Sequence, residues 1–346
     1  MRIIIDDKIP FIREAAAQLG EAVYLSGSAI SAEDVREADA LIVRTRTRCD
    51  EALLGGSRVQ MVATATIGYD HIDTAYMQRA GIAWTNCPGC NADSVAQYVQ
   101  SALVLLEEAG HIRLDDVTVG IVGVGHVGSS VERMLRRMGC RILRYDPPRQ
   151  ERGDEGFVGL EEIQKHCDVI TLHTPLTREG AHPTFHMIDN AFFDALHRRP
   201  VLINAARGEV VDEAALKAAL KAGKIRAAVV DTWEHEPCVD RELLSQVFLG
   251  TPHIAGYSAD GKANGTRMAL QAVARHFGTS FSAPVLPPAL PDGYAYYPER
   301  YCPEHPYAEL LRHYDPRRDS DALKENPEDF ERLRGDYPLR REMQEG

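Results

Sequence analysis

The sequence predicts an α/β protein: two doubly wound parallel sheets followed by an extension of different character. Three observations carry this. Short apolar runs alternate with helix-like stretches twice, once before about residue 92 and again from Val117 to about Thr251. The apolar runs of the second half are β-branched or apolar throughout, as strands buried on both faces are. After Gly278 the chain turns proline-rich and then highly charged.

In the first half RIIID, AVYL, ALIVRT, VQMVATAT and IAWTN read as strands. Helical stretches are expected around Pro10–Leu19, Ala32–Glu37 and Thr74–Arg79. A longer helix, SVAQYVQSALVLLEEAG, has a polar start at Asn91–Asp93 and Gly110 at its end. In the second half VTVGIVG, RILRYD, DVITLHT, VLINAA and IRAAVVDT read as strands, and a helix over Gly261–His276 leads out. SAPVLPPALPDGYAYYPERYCPEHPY holds seven prolines, which argues against a helix or central strand. The closing YDPRRDSDALKENPEDFERLRGDYPLRREMQEG has few apolar anchors for its charge. It reads as a disordered tail or as an arm that orders on a partner subunit.

Acidic residues outnumber basic ones by 51 to 39, for a net charge of -12. That argues against nucleic-acid binding but permits a local cationic site for a small anion. No run of about 18 apolar residues occurs, so no membrane span is expected. The opening MRIIIDDKIPF meets aspartates at once, and the 7 cysteines are scattered; a cytoplasmic protein with reduced thiols is expected.

Gly123-Val-Gly125-His-Val-Gly128 follows the strand VTVGIV and opens the helix VGSSVERMLRRMG. In that context the glycines permit a tight turn, a close approach to a pyrophosphate and close packing of helix on sheet. The helix N-terminus offers free N–H groups to phosphates. His126 and Val127, inside the turn, join the predicted cofactor-binding set. Asp146 ends the strand RILRYD, where a carboxylate accepts hydrogen bonds from ribose hydroxyls and repels a 2′-phosphate. NAD is therefore expected rather than NADP, although Arg149 stands close enough to accommodate a 2′-phosphate. Thr174, after another strand, is a further candidate contact.

Three more strand ends carry chemistry-bearing side chains: Arg207 in VLINAARGEVVD, Asp231 and Glu236 in VVDTWEHEP, and His253 in TPHIAGYS. Carboxyl ends of strands are where an open α/β sheet places its ligands. A dehydrogenase needs a proton carrier, a group that holds it, and a cation for the substrate.

These motifs resemble the D-isomer-specific 2-hydroxyacid dehydrogenase family over about residues 1–278, with NAARG, DTWEHEP and TPHIAG carrying the likeness. The resemblance implies Arg207 as substrate clamp, Glu236 as partner of the histidine and His253 as general acid/base. It places Asp231 at the nicotinamide end of NAD, with Gly256 also in the cofactor set. A carboxylate beside the imidazole stabilises the proton that the ring receives, and arginine grips a carboxylate bidentately. The family implies a flavodoxin-like substrate domain (1–92 and 258–280), a Rossmann NAD domain (93–257) and a C-terminal dimerisation region (281–346), hence a homodimer.

IIIDDKIPF, ALIVRTRT, ATATIGYDHID, CPGCNADSVAQYV, YDPPR, RGDEG and TPHIAGYSADGKANGT extend the likeness toward members acting on a small phosphorylated hydroxy acid. The implied substrate is 4-phospho-D-erythronate, of pyridoxal 5′-phosphate biosynthesis. VRTRTR would set Arg44, Arg46 and Arg48 on one face if the strand continues that far, a candidate dianion site. The turn ATATIG offers backbone N–H groups to a carboxylate, with the Thr66 hydroxyl. The resemblance adds Thr45 and Tyr257 as substrate contacts. Two other readings remain open: another D-2-hydroxy acid such as 3-phosphoglycerate, or a scaffold that senses NADH without turnover. Cys87 and Cys90 have CxxC spacing but read as the hinge entering the long helix, and no metal is expected. His71 and His173 read as structural.

Overall fold

The computed structural model describes residues 1–289, 307, 309–338 and 340–342. It divides into two compact units. The first comprises Met1–Asn91 with the described residues from Ser258 to 289; the second comprises Ala92–Tyr257 with those from 307 on.

The first unit holds five parallel strands, Arg2–Asp6 (β1), Glu21–Leu25 (β2), Ala40–Val43 (β3), Met61–Thr64 (β4) and Ala83–Thr85 (β5), in the order β2-β1-β3-β4-β5. Ile3, Ile4 and Ile5 are fully buried, which requires cover on both sheet faces. Helices Arg13–Leu19 and Ala259–His276 supply one cover through Ala16, Leu19, Leu270 and Val273. Helices Ala32–Val35, Glu51–Leu54 and Thr74–Ala80 supply the other through Val35, Leu54 and Met77. Short acidic and hydroxyl side chains start these helices: Asp50 accepts from the Leu53 N–H and Asp73 from the Tyr76 N–H.

One expectation fails here. The run ALIVRT does not stay extended: β3 ends at Val43, and Thr45–Arg46 form a turn. Thr47 is buried with its hydroxyl donating to the Gly27 carbonyl at 2.8 Å, which pulls the chain out of strand geometry. The one-face alternation of Arg44, Arg46 and Arg48 therefore does not form.

The second unit holds six parallel strands, Thr118–Val122 (β6), Arg141–Tyr145 (β7), Val169–Leu172 (β8), Val201–Asn204 (β9), Ala227–Val230 (β10) and Leu249–Gly250 (β11). Their order is β11-β10-β9-β8-β6-β7. The chain runs from β6 to its neighbour β7, then returns to lay β8 on the other side of β6. The carboxyl ends of β6 and β8 flank that switch point, where such sheets bind ligands. Helices Ala92–Glu108 and His126–Arg137 cover one face; Leu160–His166, Glu213–Lys221 and Arg241–Gln246 are among those covering the other.

The described part of the charged tail packs on the second unit of its own chain. Leu311, Tyr314 and Tyr337 enter one apolar core, Leu323 and Phe330 the other. The Ser320 hydroxyl accepts from the Gly250 N–H at 3.1 Å, and Lys324 Nζ donates to the Val247 carbonyl at 2.8 Å, so the tail covers the edge strand β11. The physical reason is five buried anchors spread over short helices and the turns beside them, a pattern with no single period. Most of the proline-rich stretch, from 290 to 306, lies outside the described residues. Among the described residues no helix is long and apolar enough to cross a membrane.

Candidate active site

The glycine turn leaves β6 at the switch point. Gly123 takes φ +86°, and a Cβ there would lie 2.8 Å from the Thr174 backbone nitrogen, so only glycine lets this turn lie against the end of β8. Gly128 sits against the Gly123 carbonyl. His126 opens the helix and is exposed, as is Gly125, while Val127 packs on the core. The Asp146 carboxylate accepts from the Val124 N–H at 2.8 Å and the Arg149 N–H at 3.0 Å. It thereby fixes the turn and stays half-exposed.

Arg149 donates to the Val124 carbonyl at 2.8 Å and pairs with Asp154 at 2.7 Å. Its charge is answered, so it does not reach out for a 2′-phosphate. Two features fit a bound dinucleotide. Open space surrounds the position a Cβ would take on Gly125, and the Thr174 hydroxyl is buried without a partner among the described residues. Beside it, His173 is held neutral, since burial pushes its pKa down to about 3.

The acid–base pair rises from the next strands. β9, β10 and β11 are neighbours, and Arg207, Asp231 and His253 follow their carboxyl ends. Gly208 locks the first of these loops to the second: a Cβ there would lie 2.0 Å from the Trp233 carbonyl. Asp231 is 1 % exposed. Its carboxylate accepts from the Ile254 and Ala255 N–H groups at 2.8 and 2.9 Å and from the Thr251 hydroxyl at 2.6 Å. Its carbonyl accepts from the His253 N–H at 2.8 Å. This grip holds His253 at φ +55°, a left-handed conformation that a non-glycine residue keeps only when its surroundings fix it. Burial raises the Asp231 pKa, against the opposing pull of His253 and those three hydrogen bonds.

Glu236 reaches His253 Nδ1 with both oxygens, at 3.0 and 2.8 Å. It also accepts from the Trp233 N–H at 3.0 Å. Burial alone would raise its pKa; the hydrogen bond and charge of His253, then the Trp233 N–H and Arg334, more than offset it, leaving the carboxyl below its ordinary range. Arg207 is half-buried, with Nη1 donating to the Ala206 carbonyl at 2.8 Å and no acidic partner among the described residues.

In the first unit the candidate substrate residues follow the carboxyl ends of β3 and β4. Arg44 Nη1 donates to the Lys8 carbonyl at 3.1 Å, beyond the neighbouring end of β1. Thr45 and Arg46 are exposed on their turn. Arg48 pairs with Asp50 at 2.9 Å. The Thr66 hydroxyl bonds Thr64 at 2.7 Å and the Gly68 carbonyl at 2.9 Å.

Residues 93–255 match the D-isomer specific 2-hydroxyacid dehydrogenase, NAD binding domain family. The erythronate-4-phosphate dehydrogenase of Bacteroides fragilis is 52% identical over 345 residues, 99% of this chain and 97% of its own. That of Bacteroides thetaiotaomicron is 51% identical, over 99% and 97%. The NAD+-bound 3-phosphoglycerate dehydrogenase of Entamoeba histolytica superposes with a TM-score of 0.68 at 27% identity, covering 80% of this chain and 95% of that one. The chain belongs to the D-isomer-specific 2-hydroxyacid dehydrogenases, in the branch of the erythronate-4-phosphate dehydrogenases.

This dehydrogenase uses NAD as its cofactor. Sequence reasoning missed two cations near its acid–base pair, both in the tail. Arg340 is fully buried, donates to the Ile254 carbonyl at 3.2 Å and to that of Ala255, and lies 3.9 Å over the Tyr314 ring. The loop after His253 is thus held by Asp231 through its N–H groups and by Arg340 through its carbonyls. Arg334 stands near Glu236 and Tyr257. No motif marked either residue; the clue available was arginines beside tyrosines in a segment read as a disordered tail or as an arm for a partner subunit. The thiols of the dehydrogenase's CxxC sequence are buried in the first unit. Cys87 donates to the Thr64 and Gly265 carbonyls at 3.3 and 3.2 Å, and burial pushes its pKa up to about 12, which suits a structural thiol.

Proposed function

We propose that the enzyme oxidises 4-phospho-D-erythronate at C2 to 2-oxo-3-hydroxy-4-phosphobutanoate, serving pyridoxal 5′-phosphate biosynthesis. Bound NAD supplies the hydride-accepting carbon. The observation that carries the reading is the two-oxygen grip of Glu236 on His253 Nδ1. It leaves Nε2 as the ring nitrogen that takes the C2 hydroxyl proton, and the carboxylate stabilises the imidazolium that results.

Arg207, without an acidic partner among the described residues, holds the substrate carboxylate and polarises the oxygen becoming a carbonyl. Asp231 and Gly256 serve the nicotinamide end of the cofactor. Gly123, Gly125, His126, Val127 and Gly128 serve its phosphates, Asp146 the ribose, and Thr174 a neighbouring polar atom. Arg44, Thr45 and Arg46 take the phosphate, Thr66 and its turn take the carboxylate, and Tyr257 adds a hydroxyl. A cytoplasmic homodimer is part of the proposal. It rests on the likeness of YDPRRDSDAL to the family's dimerisation region, and sedimentation of the purified protein checks it.

His253→Gln removes the proton acceptor and keeps the ring's approximate volume. Turnover of 4-phosphoerythronate, followed by NADH absorbance, is expected to fall about 10²–10⁴-fold. NADH binding, followed by fluorescence, is expected to change little. Retained turnover would take the histidine out of its role. Lactate and 3-phosphoglycerate run as controls; faster turnover of 3-phosphoglycerate would reassign the substrate, and no turnover of any acid would leave a nucleotide-binding scaffold.

A further inference from the structure

The helix Phe330–Gly335 is seated on the second unit by Phe330, which is fully buried, with Leu333 packed on the same core. It delivers Arg334 to the acid–base pair. Arg334 Nη1 lies 4.0 Å from Glu236 Oε2, and its guanidinium carbon lies 5.9 Å from the centre of the Tyr257 ring. The Tyr257 side chain also acts on its charge. The Arg334 side chain is 24% exposed, and its Nε is buried with no partner among the described residues. The geometry points to Arg334 as a positioning residue for the reaction: a fixed cation beside the Tyr257 ring that adds to what keeps Glu236 ionised on His253, an inference resting on the roles proposed for those residues.

At 4.0 Å Arg334 makes no hydrogen bond to Glu236, so it acts on the carboxylate by charge. Glu236 is largely buried, which favours its neutral form. A protonated Glu236 would present one fewer acceptor to Nδ1–H and would not stabilise the imidazolium. Among the described residues, the charged and titratable groups that act on the pair or on Arg334 are Asp231 from the end of β10, Arg334 from the tail helix and Tyr257 from the loop after His253, with Glu331 beside Arg334. Arg334 is the cation in that set. Because it comes from the segment after residue 309, that segment completes the acid–base pair of its own chain.

The sign follows. Arg334 holds the Glu236 pKa down; removing it lets that pKa rise, so the pair is lost at a higher pH as acid is added. In the full-length protein, Arg334→Met is expected to move the acid limb of kcat/KM for 4-phosphoerythronate oxidation upward by about half a pH unit. It is expected to lower kcat more than it raises KM. Arg334→Lys keeps the charge and is expected to restore the limb, and Arg334→Gln replaces Arg334→Met if the latter does not fold.

A second readout needs no turnover: the ¹³C titration of the Glu236 carboxylate, assigned with Glu236→Gln, should move upward in Arg334→Met and return in Arg334→Lys. An unmoved limb and an unmoved carboxylate titration, or a rise confined to KM, would overturn the assignment and make Arg334 a structural residue or a substrate ligand. Absence of turnover in the unaltered enzyme would sink the proposed function, while the carboxylate titration would still decide the role of Arg334.

Discussion

The loops at the ends of the two sheets are prepared to different degrees. Around His253 the protein itself answers the groups that set the imidazole and the loop after it. Asp231 and Arg340 hold the following loop from its donor and acceptor sides, and Glu236 holds the ring. At the ends of β3 and β4 it leaves more undone. Arg44 faces no carboxylate at ion-pair distance among the described residues. Among the same residues no hydrogen bond engages the N–H groups of Thr66, Ile67 or Gly68. Groups that carry a proton must sit correctly before the substrate arrives, because misplacement is felt directly in the barrier. Groups that bind an anion can take their missing partners from it.

The largest effect is expected where the prepared region is broken. Gly208→Ala would drive a methyl group into the Trp233 backbone, and backbone cannot swing aside as a side chain would. The loops of Arg207 and Glu236 would part. A loss of at least about 10²-fold in kcat/KM is expected, with NADH affinity changed less because the glycine turn lies elsewhere on the sheet. Near-normal turnover in steady-state assays would show that the contact between the two loops is not needed for catalysis.

The next effect tests the unprepared region. Arg44→Ala with Arg46→Ala is expected to raise KM for 4-phosphoerythronate by about 10–100-fold, since charge-assisted contacts to a phosphate dianion are lost. KM for an unphosphorylated analogue should change little, and kcat for either should stay within a few-fold. Equal KM changes for both substrates would remove the phosphate from this turn.

The same contrast explains what could be read from the chain. The prepared site was legible because it is made of residue types the chemistry demands, at ends of strands whose β-branched runs announce themselves. Gly123, Asp146, Glu236 and His253 each stand after or within such a signal. Arg334 and Arg340 were not legible. They act at long range in sequence, from a segment whose anchors Leu311, Tyr314, Leu323, Phe330 and Tyr337 belong to two different cores and share no period. The end of β3 was misread for a related reason. ALIVRT has strand composition throughout, and what ends the strand is a tertiary bond from Thr47 to Gly27, which local pattern does not contain.

Arg48 gives the smallest expected effect and the sharpest edge to the comparison. It lies in the same basic run as Arg44 and Arg46, yet it pairs with Asp50 at 2.9 Å with its own side chain 74% exposed. Such a pair contributes well under about 1 kcal/mol. Asp50 stays anchored without it, because it caps the helix Glu51–Leu54 by accepting from the Leu53 N–H at 3.2 Å. Arg48→Ala is therefore expected to shift Tm by no more than about 1–2 °C and KM for 4-phosphoerythronate by less than about twofold. A KM rise matching that of the Arg44 and Arg46 double variant would bring Arg48 into the phosphate cluster. The chain would then have to straighten past Val43 when substrate binds, giving up the bond that fixes Thr47.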